Sequence, residues 1–278
     1  LWYLRWGKKT YANFRPVKWS KGMKSPLKSP EGIDFVVARE NLEGLYPARE
    51  GDIKELASLN LVDRTGRSLI DLSAKGKYAI RIITEENTRN IATSACELAM
   101  KRRARGGKGK VTVACKYNLL VQSDGLFRQI VAETVEGYPE LTYDQYIIDN
   151  FAQQLVINPH QFDVVVLPNE HGDVMADGAA GLAGGLGLAA SACIGDDYAY
   201  FEPVHGTAPD IMGKNIINPT AMLLTSKWML DYLGFEEAAE RLENAVYDIY
   251  AEGKPLTPDQ GGSATTTEFC EAVKARLG

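Results

Sequence analysis

The sequence predicts an α/β fold, and three observations carry that prediction. Apolar runs of strand length alternate with segments of helical character between residues 33 and 168, the order expected of helices layered on a sheet. A hydrophobic fraction of 45% in 278 residues is enough to bury a core of one large domain or two modest ones. No G-x-G-x-x-G stands between a strand and a helix, so the Rossmann fingerprint is absent, and Gly106-Gly107-Lys108-Gly109 is no substitute.

Residues 1–9 read as the end of a helix, with Leu1, Leu4 and Arg5 at helical spacing. Residues 11–17 are strand-like, Arg15 being held extended by Pro16. The Lys-, Ser-, Pro- and Gly-rich stretch 18–32 is loop, and 33–38 is a buried strand that runs into Arg39-Glu40-Asn41. Residues 47–77 are polar and irregular, an excursion rather than core. Residues 78–83 alternate as a half-buried strand. Thr84 then supplies a cap, with Glu85 and Glu86 in the first turn, for a helix over 86–103.

A strand over 111–115 ends at Lys116. A helix at 123–136, a strand at 144–148, a helix at 149–156 and a strand at 163–168 follow. From 178 the composition turns to Gly and Ala, and Gly181, Gly184, Gly185 and Gly187 permit close helix approach or a hinge. A long loop is expected over 195–219, then helices over 219–233 and 235–252 and a final helix from 265. There is no internal repeat.

The net charge of −5 gives no electrostatic reason to bind nucleic acid or a membrane surface. The basic run Lys101–Arg105 reads as a solvated helix end, where cations suit the dipole. Cys96, Cys115, Cys193 and Cys270 show no C-x-x-C spacing, which fits a reducing cytoplasm. No apolar run is long enough to span a bilayer, and no signal peptide is visible. The opening Leu1-Trp2-Tyr3-Leu4-Arg5 reads as the interior of a longer protein.

The residues with chemistry to offer fall into four groups. Asn169-Glu170-His171-Gly172-Asp173-Val174-Met175-Ala176-Asp177 follows an apolar strand, and Asp173 and Asp177, four apart, share a helix face. They suit a hard cation such as Mg²⁺ or Mn²⁺, or else form an acidic face near a helix N-terminus; His171 is a ligand or only a hydrogen-bonding residue. Arg5, Arg15 and Arg39 are natural partners for carboxylates, or surface ion-pair residues; spacing alone does not bring them together. Lys116 and Tyr46 are a candidate base and a candidate proton donor, or a solvated strand end and a core aromatic. His205-Gly206-Thr207-Ala208-Pro209-Asp210 is a small-residue loop that lets a ligand approach the backbone.

Taken in chain order, these segments resemble the β-decarboxylating dehydrogenases, the family of isocitrate, 3-isopropylmalate, homoisocitrate and tartrate/D-malate dehydrogenases. The resemblance is carried by YANFRP at 11–16, RENLEGLY at 39–46, KYN at 116–118, Asp149-Asn150, and GDVMAD at 172–177. It continues through FEPVHGTAPDI at 201–211, Ile217–Pro219 and TPDQGGSATTT at 257–267. It begins after the family's N-terminal segment, which the chain is expected to lack.

This resemblance implies a two-domain isocitrate/isopropylmalate dehydrogenase-like α/β fold, not a Rossmann fold, and a homodimer with shared active sites. Residues 1–10 and 184–278 would form the larger, nucleotide-side domain. Residues 11–183 would form the smaller dimerisation and metal-site domain, with 47–77 as a candidate intersubunit arm. It implies a metal at Asp173 and Asp177, joined by Asp149 of the partner subunit. Arg5, Arg15 and Arg39 would hold substrate carboxylates. Lys116, also reaching across the dimer, would take the hydroxyl proton, and Tyr46 would protonate the enol carbon. His205, Gly206, Thr207, Ala208, Asp210, Ile211 and Asn218 would hold the adenosine half of the nucleotide.

The expected activity is NAD- and Mg²⁺- or Mn²⁺-dependent oxidative decarboxylation of a 2-hydroxy dicarboxylic acid. Asp210 offers an acceptor to a ribose 2′-hydroxyl and repels a 2′-phosphate, hence NAD. Leu1 lies one turn before Arg5, where the resemblance puts the reader of the substrate's variable arm. Leu1 and Trp2 suit an isopropyl arm, so 3-isopropylmalate is the expected substrate. Isocitrate, homoisocitrate, tartrate or D-malate, and a non-catalytic regulatory subunit, are the alternatives. His171 departs from the family's usual aromatic, and Tyr117 from its usual small residue.

Overall fold

The expected alternation builds a mixed sheet with helices on both faces. The computed structural model describes residues 2–59, 61–63, 65–68, 71 and 73–278. Its strands are β1 (Ala12–Lys18), β2 (Asp34–Glu40), β3 (Glu50–Asp52), β4 (Lys77–Ala79), β5 (Lys110–Cys115), β6 (Thr142–Ile147), β7 (Val164–Leu167), β8 (Ala190–Ile194) and β9 (Ala199–Pro203). The helices are α1 (Glu85–Ala104), α2 (Ser123–Glu136), α3 (Ile148–Ile157), α4 (Asn169–Leu182), α5 (Thr220–Tyr232), α6 (Glu236–Glu252) and α7 (Thr266–Leu277). Among the described residues, seven strands form the main sheet in the order β6-β5-β7-β2-β1-β8-β9, and β3 pairs with β4 in a separate ribbon.

The sheet is parallel from β6 to β2 and antiparallel from β2 to β9. Alternation along each strand sorts its side chains to two faces. Val36, Ala38, Val111, Val113, Val164 and Val166 pack against Ile91 and Ala95 of α1 and Phe127 and Val131 of α2. Phe35, Val37, Val165 and Leu167 meet Phe151 and Leu155 of α3 and Ala176 and Ala179 of α4. Phe162 centres that second layer, its ring 5.0 Å from Phe151 and 6.0 Å from Phe35. A third apolar cluster joins α5, α6 and α7 over Leu188 and Ala190.

Two expectations need correction. The 195–219 stretch is not all loop, because Ala199–Pro203 forms β9 beside β8. Small residues hid β8, which is Ala190-Ser191-Ala192-Cys193-Ile194. Its first four residues are all buried, so no alternation marks it, and it has little of the β-branched bulk typical of a strand. Residues 78–83 also fail to make a continuous half-buried strand: the ladder with β3 stops at Ala79, Ile82 makes only an isolated bridge to Gly44, and β4 lies outside the main sheet. The alternation there comes from Arg81, which turns inward to carboxylates rather than toward apolar neighbours.

Arg102, near the C-terminal end of α1, locks the far edge of the sheet. Its Nε donates to Asp163, which is fully buried, at 2.6 Å, and its Nη2 to Asp34 at 3.0 Å. The backbone N–H of Lys110 donates to the other Asp163 oxygen at 3.2 Å, so three strands meet on one ion pair. Arg102→Met leaves that carboxylate buried without a cation and is expected to cost about 3 kcal/mol. Urea unfolding would show this as a lower midpoint with an unchanged slope.

Candidate active site

In open α/β sheets, ligands sit beyond the carboxyl ends of the strands. Here four parallel strands deliver chemically active residues to that edge. β2 ends with Arg39 and Glu40, β5 is followed by Lys116, β6 by Asp149, and β7 by Asn169 and the helix that carries Asp173 and Asp177. Because β1 runs antiparallel to β2, with Ala12 opposite Glu40, the segment before β1 reaches the same edge and brings Arg5. Arg5 lies in a single wide turn, Tyr3–Gly7, where Lys8 N–H donates to the Tyr3 carbonyl at 3.0 Å.

Asp173 is the meeting point. Arg15 Nη2 donates to its Oδ1 at 2.8 Å, Arg39 Nη1 donates to the same oxygen, and the Tyr46 hydroxyl donates to its Oδ2. The second nitrogen of the Arg15 fork reaches Asp177 Oδ1 at 3.1 Å. Arg39 also donates through Nε and Nη2 to Asn169 Oδ1, at 3.0 and 2.8 Å, and Arg5 Nη2 reaches that oxygen at 3.0 Å. The Tyr46 ring lies 4.8 Å from the Arg5 guanidinium and 4.5 Å from that of Arg39. The arginines that spacing alone left unconnected are therefore brought together.

Gly172 makes this approach possible. A Cβ there would lie 2.6 Å from Arg39 Cγ and 2.7 Å from Arg39 Cβ, so any other residue would push α4 off β2. Burial and the neighbouring Arg15 push the Arg39 guanidinium down to about 10. Burial opposes ionisation of Asp173, but Arg39, the Tyr46 hydroxyl and Arg15 outweigh it and hold that carboxyl below its ordinary range. For Asp177 burial wins over Arg15, and its carboxyl is raised. Burial and the bond to Asp173 raise the Tyr46 hydroxyl, which keeps its proton.

Lys116 and Asp149 form a separate pair: the Lys116 ammonium donates to Asp149 Oδ2. The carboxylate of Asp149 is thereby held below its usual range. Among the described residues of this chain, no three His, Cys, Asp or Glu side chains converge in a manner that would hold a metal. Asp173 and Asp177 thus offer one half of an oxygen donor set, and Asp149 lies elsewhere on the same chain. The imidazole of His171 is depressed by burial, and its Nδ1 is enclosed without a hydrogen-bond partner. The ring of Tyr117 lies 4.6 Å under the Arg128 guanidinium.

The small-residue loop is open. Gly206, Thr207, Ala208 and Asp210 are exposed, and Ala208 adopts a left-handed backbone before the short turn Pro209–Ile211. His205 and Ile211 are half-buried beside them. Asn218 is buried with its side chain already engaged: Nδ2 donates to Asp259 at 2.9 Å and to the Tyr250 hydroxyl at 3.0 Å, and Oδ1 accepts from Thr220 N–H. Only its backbone is left for a ligand. Leu1 lies outside the described residues; Trp2 is exposed and stacks on Trp6 at 4.5 Å beside Arg5.

Asn169, Glu40 and Arg81 were missed by the sequence reading. Asn169 gathers Arg5 and Arg39 on one oxygen and gives its own N–H to the Glu43 carbonyl at 2.9 Å. Its position immediately after an apolar strand was the available signal. Glu40 is fully buried and accepts from the backbone N–H groups of Leu42 and Glu43, setting the turn that leads to Tyr46.

With this geometry in hand, similarity to known proteins can be stated. Residues 1–273 match the family model described as isocitrate/isopropylmalate dehydrogenase. The chain is 44% identical over 268 residues to a 3-isopropylmalate/3-methylmalate dehydrogenase of Methanocaldococcus jannaschii, covering 96% of this chain and 74% of that one. It is 43% identical over 275 residues to an isocitrate/homoisocitrate dehydrogenase of Thermus thermophilus, covering 99% and 74%. The crystal structure of isocitrate dehydrogenase from Methylococcus capsulatus superimposes with a TM-score of 0.83 at 36% identity, over 98% of this chain and 75% of that one.

Burial pushes the Glu40 carboxyl up to about 7 from its ordinary 4.5, against the pull of the Leu42 and Glu43 N–H groups. The folded state therefore holds this proton more tightly than the unfolded state. The stability it contributes is complete below pH 4.5 and is lost as pH rises through 7. Glu40→Gln is expected to flatten that decline in urea midpoints measured across the interval; equal slopes in both proteins would refute the assignment.

Proposed function

Because the chain belongs to the isocitrate/isopropylmalate dehydrogenase family, we propose that it oxidises 3-isopropylmalate with NAD and releases the β-carboxylate as CO₂. Decarboxylating oxidation at a CH–OH group is the activity of the family itself; the particular acid, the nucleotide and the metal are the further steps. The observation that carries the reading is the convergence of Arg5, Arg15, Arg39 and Tyr46 on Asp173 and Asn169.

Three guanidinium groups gather there around Asp173 and Asp177, with Glu202 within electrostatic reach of all three, and such forks suit an anionic substrate. Their planar forks match the two carboxylates of the hydroxy acid. Lys116 of the partner subunit would take the hydroxyl proton, and a bound nicotinamide would supply the acceptor for the hydride of C2. The electron pair of the breaking C3–CO₂ bond moves toward the new 2-oxo group, and Tyr46 delivers a proton to C3. The raised hydroxyl of Tyr46 suits a donor that must arrive protonated.

The donor set fits a hard cation: Asp173 and Asp177 present carboxylate oxygens on one face of α4, both within reach of the same Arg15 fork. Mg²⁺ or Mn²⁺ held by these two and by Asp149 of the partner subunit would polarise the substrate's hydroxyl and carboxylate oxygens. That sharing requires a homodimer. Exposed apolar side chains on the three segments concerned support one: Leu120 and Val121 after Lys116, Val156 and Ile157 on α3, and Val174 on α4. The ribbon of β3 and β4 and its flanking residues within 47–77 would serve as the intersubunit arm. Residues 1–10 with 184–278 would form the nucleotide-side domain, and 11–183 the other.

The exposed loop 205–211 would hold the adenosine half of NAD, with Asp210 on the ribose and Asn218 contributing through its backbone. The Trp2–Trp6 stack beside Arg5 favours an apolar arm on the substrate. The cysteines are all free, which agrees with a reducing cytoplasm. No helix among the described residues is long and apolar enough to cross a membrane.

NADH production on a panel of 3-isopropylmalate, isocitrate, homoisocitrate, tartrate and D-malate tests the reading. The expected result is the highest kcat/KM on 3-isopropylmalate, with NAD preferred over NADP and activity lost in EDTA and restored by Mg²⁺ or Mn²⁺. A preference for isocitrate would reassign the variable arm, and metal-independent turnover would remove the cation site. Lys116→Met is expected to lower kcat by about a thousandfold at little cost to folding.

A further inference from the structure

Arg81 takes no part in the centre described above, yet it is bonded to the frame around it. It lies between β4 and α1, with a side chain 14% exposed. Its Nη1 donates to Asp124 Oδ1 at 2.6 Å, and its Nε donates to Glu170 Oε1. Asp124, in the first turn of α2, is fully buried, and its second oxygen accepts the backbone N–H of Lys116 at 2.6 Å. A single carboxylate therefore separates the guanidinium of Arg81 from the peptide that carries the Lys116 side chain.

Glu170 stands three residues before Asp173 on α4, so the same guanidinium also holds the start of the helix that presents both aspartates. The neighbouring residue Ile82 accepts the Gly44 N–H at 3.0 Å, two residues before Tyr46. Gly44 has φ of +76°, and a Cβ there would lie 2.7 Å from Glu170 Oε2. Three parts of the chain, the Lys116 strand end that serves the partner's centre and the α4 start and Tyr46 turn that serve its own, thus meet at residues 81 and 82.

A buried ion bridge of this kind stabilises a fold weakly compared with apolar packing, but it imposes a defined geometry. We propose that Arg81 is a positioning residue, holding Lys116 through Asp124 for the centre of the partner subunit and the Asp173 helix through Glu170 for the centre of its own chain. The proposal rests on the assignment of Lys116 as the base.

Hydrogen exchange at the Lys116 amide, combined with steady-state kinetics, tests it in the full chain. Arg81→Met is compared with Arg81→Lys and with the stability control Arg102→Met. In Arg81→Met the Lys116 amide is expected to exchange about tenfold faster than in the control, because its acceptor loses its counter-charge. The kcat is expected to fall by about tenfold to a hundredfold while KM for the hydroxy acid stays within about twofold. Arg81→Lys, whose ammonium still reaches Asp124, recovers part of both effects. Equal Lys116 exchange in Arg81→Met and Arg102→Met would overturn the proposal, as would an unchanged kcat or no recovery in the lysine variant. Should the native protein turn over none of the panel acids, the reading of Lys116 as base fails while the exchange comparison still decides what Arg81 holds.

Discussion

Guanidinium groups repel one another, and Arg5, Arg15 and Arg39 sit close together only because anions and dipoles are set between them. Arg15 lowers the hold of Arg39 on its proton, as does Arg5. What offsets this is one carboxylate oxygen of Asp173, shared by Arg15 and Arg39, and one amide oxygen of Asn169, shared by Arg39 and Arg5. Both acceptors lie on the first turns of α4. The placement of α4 is therefore the constraint on which the centre depends, and Gly172 permits it by leaving room for Arg39 against the helix backbone.

Topology does the rest of the assembly. Residues separated by more than a hundred positions come to one edge because β2, β5, β6 and β7 run in the same direction. A parallel sheet aligns the carboxyl ends of its strands, so every strand-to-helix connection opens on the same side. Asp173 and Asp177 would repel each other on an isolated helix at a spacing of four. Here the Arg15 fork bridges them, which makes the pair tolerable before any cation arrives.

The strands that build this edge were legible because Val, Ile and Phe dominate them: residues 33–38, 111–115 and 163–168 all lie where apolar runs placed them. The helices from α1 to α3 followed from caps and periodicity, and Thr84 does accept the Asn87 N–H as a cap. β8 and β9 were not legible, since Ala and Ser in β8 carry no strand bias and the partner, β1, lies far away in sequence. Asp173, Asp177 and the arginines could be picked out by residue type, but their convergence could not. Nor does the basic run around Arg102 show that this one guanidinium turns inward to lock a structural carboxylate at the opposite edge, as Arg39 turns to Asp173.

The charge arrangement also explains why the chain reads as half of a larger site. Lys116 and Asp149 neutralise each other at a partly accessible surface, outside the cluster of arginines around Asp173. An accessible ion pair of this kind adds little stability, so its value lies in what else its members can meet. On the proposed reading, a second copy places Lys116 and Asp149 opposite Asp173 and Asp177. Asp149 would then trade its lysine partner for a divalent cation, and the Lys116 amine would be released from its carboxylate. Dimerisation would in this way both complete the donor set and free the base, so one surface contact would govern the two requirements of the chemistry together.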